Sequence, residues 1–220
     1  MGGGGIFRDG GSTGSPAPAA GEPKPASVPL PGGGTSFFAD MFNVLASPAA
    51  FWERVHAAGP PAYRPIWLHL AILVGLRSVA GFGGALLRGI GLGAAFGQLF
   101  SGLLSAFLMV WLFAAIVASL TAGAVVRTTI RETFRYAAYG LTPLFVIGVL
   151  AVVPLPYVAP VADLVLMPYT FYVLAVGVVP ALGVPEKQAP GRAALICGAL
   201  LVLWSIMPTL IPLVVEALVR

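Results

Sequence analysis

Charge is missing from four long stretches of this sequence: residues 89–126, 136–162, 164–185 and 193–215. A fifth stretch, 65–87, is broken only by Arg77. A helix needs about 20 apolar residues to cross the hydrocarbon core of a bilayer, so each run is long enough. Charged residues make up 9% of the chain, against about a quarter in a soluble domain. That leaves too little charge to cover a water-facing surface, and no charged amphipathic helices stand ready to enclose a large soluble core. Backbone groups in lipid must pair internally, which leaves helices or closed barrels. Barrel strands alternate apolar and polar residues, and segments such as FLMVWLFAAIVASL (107–120) do not. The expected fold is therefore all-α: a polytopic membrane helix bundle.

Residues 1–36 form a Gly/Pro/Ala/Ser tract with almost nothing to bury, so a disordered N-terminal tail is expected there. Residues 37–64 read as a cytoplasmic segment of two amphipathic interfacial helices. In the first, Phe37, Phe38, Met41, Phe42 and Leu45 share a face, with Asp40 and Asn43 opposite. Ser47 offers an N-cap to the second, Pro48 sits at its first position, and Phe51, Trp52 and Val55 form its apolar face. Gly59-Pro60-Pro61 stops it. Both suit the headgroup layer or the underside of a bundle.

Residues 65–220 hold five expected spans: about 66–84, 100–123, 136–154, 161–182 and 193–214. Residues 89–99, with Gly89, Gly91, Gly93 and Gly97, read as a connector or re-entrant piece, because a helix over 89–126 would run to roughly 57 Å. Gly89, Gly93 and Gly97 also have the spacing of a close helix contact. Basic residues fix an orientation. Arg54, Arg64, Arg127, Arg131, Arg135, Lys187 and Arg192 gather at one side of the spans; Arg88 and Arg220 lie at the other. Positive loops stay cytoplasmic, so a cytoplasmic N-terminus and a C-terminus on the opposite side are expected, which requires an odd number of spans.

The N-terminus lacks the basic patch and apolar stretch of a cleavable signal peptide. Ile6 breaks the myristoylation pattern. Cys197 is the only cysteine and makes no intramolecular disulfide. The net charge of +4 is small and concentrated in loops, which points to membrane orientation and not to nucleic acid. His56, His69, Cys197 and the scattered carboxylates form neither a metal site nor a nucleophile–base pair. No cofactor, no metal and no enzymatic activity are expected.

Three groups of residues stand out. Thr129 and Glu132 have capping-box spacing, so a helix should start there. Arg127, Arg131, Arg135, Tyr136 and Tyr139 are candidate contacts for a partner or for lipid headgroups, or else a basic and aromatic interfacial anchor. Further along that helix, Pro143 cannot donate to the carbonyl of Tyr139, which predicts a kink, and Gly140 permits close helix approach. Arg77, in the first span, and Asp163, at the start of the fourth, lie at similar depth. An intramembrane charge is costly unless paired, so the two are a candidate polar pair; the alternative is that Arg77 snorkels and Asp163 caps its helix.

The segment Asn43-Val-Leu-Ala-Ser-Pro48-Ala-Ala-Phe51-Trp52, the Pro65-led first span and the stretch Arg135-Tyr-Ala-Ala-Tyr-Gly-Leu-Thr-Pro143 resemble the Yip (Ypt-interacting protein) domain family over about residues 37–214. The excess of Arg (10) over Lys (2) points to its bacterial branch, in a bacterial inner membrane. The resemblance implies a five-span protein with a cytoplasmic N-terminus. In eukaryotic members it also implies interaction with Rab-type GTPases. That role is not carried over, because Tyr63-Arg-Pro-Ile-Trp67 stands where those members have Asp-Leu-x-Gly-Pro. The expected function is a non-enzymatic scaffold or adaptor that meets the bilayer and a membrane or cytoplasmic protein, a second copy of itself included. The alternative is a small permease or channel with Arg77 and Asp163 on its path.

Overall fold

The computed structural model describes residues 37–59, 62–122, 128–155 and 157–219. The tail 1–36 and Arg127 lie outside them. Among the described residues every regular element is a helix: α1 (Phe37–Ala46), α2 (Pro48–Ala57), α3 (Tyr63–Leu87), α4 (Leu92–Thr121), α5 (Ile130–Gly140), α6 (Thr142–Ile147), a 3-10 turn (Gly148–Val152), α7 (Val158–Leu182) and α8 (Ala189–Val219). Helices α3, α4, α7 and α8 are each long and apolar enough to cross a bilayer. The pair α5 and α6–3-10 makes a fifth when counted as one span bent by 40°.

The bend follows from local chemistry. The capping box forms at the start of α5: the Thr129 backbone N–H donates to Glu132 Oε2 at 2.7 Å, and the Glu132 N–H donates to Thr129 Oγ1. Eleven residues later the helix stops at Gly140, and Pro143 opens α6 where a missing N–H does least harm.

One boundary differs from the sequence expectation. Residues 92–99 are not a connector; they are the first turns of α4, a continuous helix of 30 residues starting beyond Gly91. At 1.5 Å per residue it runs about 45 Å, and tilt or overhang absorbs the excess over the hydrocarbon thickness. Gly93 and Gly97 serve no close contact, since a Cβ at either would meet nothing within 4 Å.

The expected apolar face of α1 is only partly inward: Phe37 and Met41 pack half-buried against the core. Asp40 and Val44 are buried, while Phe38 and Phe42 are each 64% exposed. The amphipathic rule turns apolar side chains inward; here two phenylalanines stay on the outer surface and Asp40 turns in. Helix α2 behaves as expected, with Phe51, Trp52 and Val55 buried and Glu53 and His56 exposed. Ser47 occupies the N-cap position of α2 without a side-chain capping bond.

Helix α3 packs on α4 and on the 3-10 turn, α4 on α5 and α8, and α7 on α2, α5, α6 and α8. Glycines set two of the closest approaches. A Cβ on Gly84 would strike the backbone of Ala151, and one on Gly140 would strike the Leu174 side chain. Helices α1 and α2 close one end of the bundle, hereafter the near end.

Candidate functional site

At the near end, α2 is docked deep in the bundle. Trp52 is fully buried and donates from Nε1 to the Val173 carbonyl of α7 at 2.9 Å. The indole occupies the space above Gly177, where a Cβ would lie 2.7 Å from the ring. Beside it the Tyr136 hydroxyl donates to the Leu174 carbonyl at 2.6 Å. Two neighbouring carbonyls of α7 thus accept from aromatic side chains of α2 and α5. Tyr169 of α7 reciprocates by donating to the Leu45 carbonyl.

Behind this layer lies His69 of α3. Its Nε2 pairs with Thr142 Oγ1 at 2.9 Å, and its ring lies 4.6 Å from that of Tyr139 and 5.3 Å from that of Phe37. Arg135 is 8% exposed and points inward, donating to the Gly59 carbonyl at 3.0 Å and reaching the Val55 carbonyl at 3.4 Å. It therefore ties the C-terminal end of α2 to α5. Arg131, one turn earlier, is exposed with its guanidinium 4.2 Å over the Tyr63 ring.

The five contact residues named from sequence therefore do not share one surface. Arg135, Tyr136 and Tyr139 are buried among α1, α2 and α7. Arg131 alone of the described four faces outward. The same charge and aromatic pattern serves a surface or a seam, and sequence spacing does not distinguish them.

The far half of the bundle holds a second polar locus. Arg77 Nη2 lies 2.5 Å from Asp163 Oδ2 and Nη1 lies 3.1 Å from Oδ1, a bidentate pair across α3 and α7. Nη1 also donates to the Leu144 carbonyl of α6 at 2.6 Å. Asp163 is buried, whereas the Arg77 side chain keeps 30% of its surface. Gly148 makes the room, since a Cβ there would fall on the guanidinium. Nothing in the local sequence marks that glycine, because its neighbour Arg77 lies 71 residues away in the chain.

The pair borders a cavity of about 720 Å³ between α3, α4, α7 and α8, lined also by Gln98, Ser101, Ser105, Met109 and Trp204. Towards the near end it is floored by Leu141, Leu144 and Phe145, all buried. Among the described residues no cluster of three metal-ligating side chains occurs.

Four apolar helices, a fifth bent pair and a paired intramembrane charge define a multi-pass helical membrane protein. The Yip1 domain family matches residues 42–207, from within α1 to within α8, and the chain belongs to that family. No curated protein and no solved structure matches it.

Proposed function

We propose that this protein is a non-enzymatic scaffold or adaptor whose near end faces the cytoplasm and binds a protein partner. The observation that carries the reading is the docked state of α2. Trp52, Arg135 and Tyr169 hold α1 and α2 against the bundle as a fixed platform. Its outer side leaves Asn43, Ser47, Glu53 and Arg54 around a shallow cleft, with His56 and Arg131 exposed nearby. A rigid polar platform loses little entropy on binding. Basic residues at the same end, Arg54, Arg64, Lys187 and Arg192, support the cytoplasmic orientation, and the Arg-rich composition supports a bacterial inner membrane. The permease reading lacks comparable support, because the far cavity ends at Leu141 above a packed layer of His69, Tyr139 and Phe51.

A photo-crosslinking residue placed at Glu53 in native membranes tests this. A discrete, saturable adduct that is absent from a far-end probe at Leu155 and weakened by Arg131→Ala is expected. Equal adducts from both ends would overturn the reading. In a Cys197→Ala background, a cysteine at Ala57 should react with impermeant maleimide only after the membrane is opened, and one at Leu155 before; the reverse order would refute the orientation.

A further inference from the structure

We propose that the cavity beside Arg77 and Asp163 binds one uncharged glycerolipid from the far leaflet, with its hydroxyl- and ester-bearing head at the polar end. A second cavity of about 450 Å³ adjoins the first, and the two share Arg77, Gln98, Gly102 and Ala159. Together they form one recess whose lining mixes amide, hydroxyl and apolar groups.

The charge balance selects the head. The larger cavity is lined by one cation and one anion, and these are bound to each other in bidentate fashion. A phosphate entering there would compete with Asp163 for Arg77 while sitting beside a carboxylate of like charge. Arg88 lines only the smaller cavity, eleven residues beyond Arg77 or roughly 16 Å of helix rise. An uncharged head avoids both difficulties.

The lining also selects for a hydroxyl. Ser101 donates to the Gln98 carbonyl and Ser205 to the Leu201 carbonyl. Their protons are thus engaged within their own helices, and their oxygens remain acceptors. Gln98 supplies an amide with both capacities. A head that both donates and accepts satisfies this set, as a glycerol ester does.

Polarity along the recess matches a lipid's. On α4, Gln98, Ser101, Ser105 and Met109 fall on successive turns of one stripe. Along α4 the stripe runs from polar at Gln98 to apolar at Met109, and the Arg77–Asp163 pair stands beside the Leu144 and Phe145 wall at the inner end. A lipid of that leaflet has the same order, head to tail. A free polyol would leave the apolar half unfilled.

The test uses the full chain purified in detergent with a photoactivatable diacylglycerol. Saturable labelling is expected on peptides containing Met109 or Met207. Dioleoylglycerol should compete and dioleoylphosphatidylglycerol should not. Ser105→Trp, which fills the recess, should abolish labelling with the melting temperature retained. Ser101→Ala with Ser105→Ala should weaken it by roughly tenfold, the effect of two hydrogen bonds. Labelling that survives Ser105→Trp, or equal competition by the anionic lipid, would overturn the proposal. If Ser105→Trp fails to fold, the competition on the unaltered protein decides alone.

Discussion

The guanidinium of Arg77 and the carboxylate of Asp163 meet edge to edge across α3 and α7, and the Leu144 carbonyl takes a third bond from the same guanidinium. Removing one partner of a buried pair strands the other, a loss of about 3–5 kcal/mol where burial is complete. Arg77 retains partial exposure and the Leu144 bond, so the lower part of that range applies. Asp163→Leu and Arg77→Leu should each lower the melting temperature in detergent. The double Leu variant should be more stable than either single one, because no charge is left uncompensated. A double variant as unstable as the sum of the singles would show that the pair contributes nothing as a pair.

Gly148 extends this relationship to a residue that makes no hydrogen bond to the pair. A Cβ at 148 would occupy the place of the guanidinium. Gly148→Val should therefore displace Arg77 and destabilise by about 1–3 kcal/mol, the range for overpacking. The effect should be much smaller in an Arg77→Ala background. Equal losses in both backgrounds, measured by thermal unfolding, would mean that Gly148 serves the 3-10 turn and not Arg77.

The membrane class, the helices and the bend near Pro143 were legible because each rests on a local rule: run length, charge and the missing proline N–H. The depth match of Arg77 and Asp163 was legible for the same reason, since 1.5 Å per residue locates both. What escaped depends on the neighbours. The inward turn of Asp40 escaped because the hydrophobic pattern is read as apolar-inward, while Phe38 and Phe42 stay exposed. The inward turn of Arg135 escaped because its partners, the carbonyls of Val55 and Gly59, are backbone groups with no residue signature. The run 89–126 was divided wrongly because a length rule for upright helices took no account of tilt.

Docking of α2 rests on the fit of Trp52 against Gly177. Trp52→Phe keeps a six-membered ring but loses the pyrrole half and the bond to Val173, so the bond's ~1 kcal/mol plus a cavity term should go. Gly177→Leu should be far worse, since the new side chain and the indole compete for one space. It should leave the bundle folded but release α2. The measurement is limited proteolysis between α2 and α3, near Gly59: rapid cleavage in Gly177→Leu, and slow cleavage in Trp52→Phe. Cleavage at equal rates in both would show that α2 is held by something other than this contact.

Arg131 and Arg135 lie one turn apart on α5 and are expected to separate two roles. Arg135 bonds to the end of α2 and is almost fully buried; Arg135→Ala leaves the Gly59 carbonyl without this donor, and about 1–3 kcal/mol should be lost. Lysine should restore little, because one ammonium on a flexible stem cannot reproduce the geometry of the guanidinium. Arg131 stands over the exposed Tyr63 ring, where such a contact contributes about 0.5–1 kcal/mol. Arg131→Ala should therefore leave the melting temperature nearly unchanged and reduce crosslinking from Glu53. The two readouts must diverge: Arg135→Ala lowers stability, and Arg131→Ala weakens partner binding. If Arg131→Ala lowers stability as much as Arg135→Ala does, the basic face of α5 is a structural seam throughout, and the partner surface has to be sought on α2 alone.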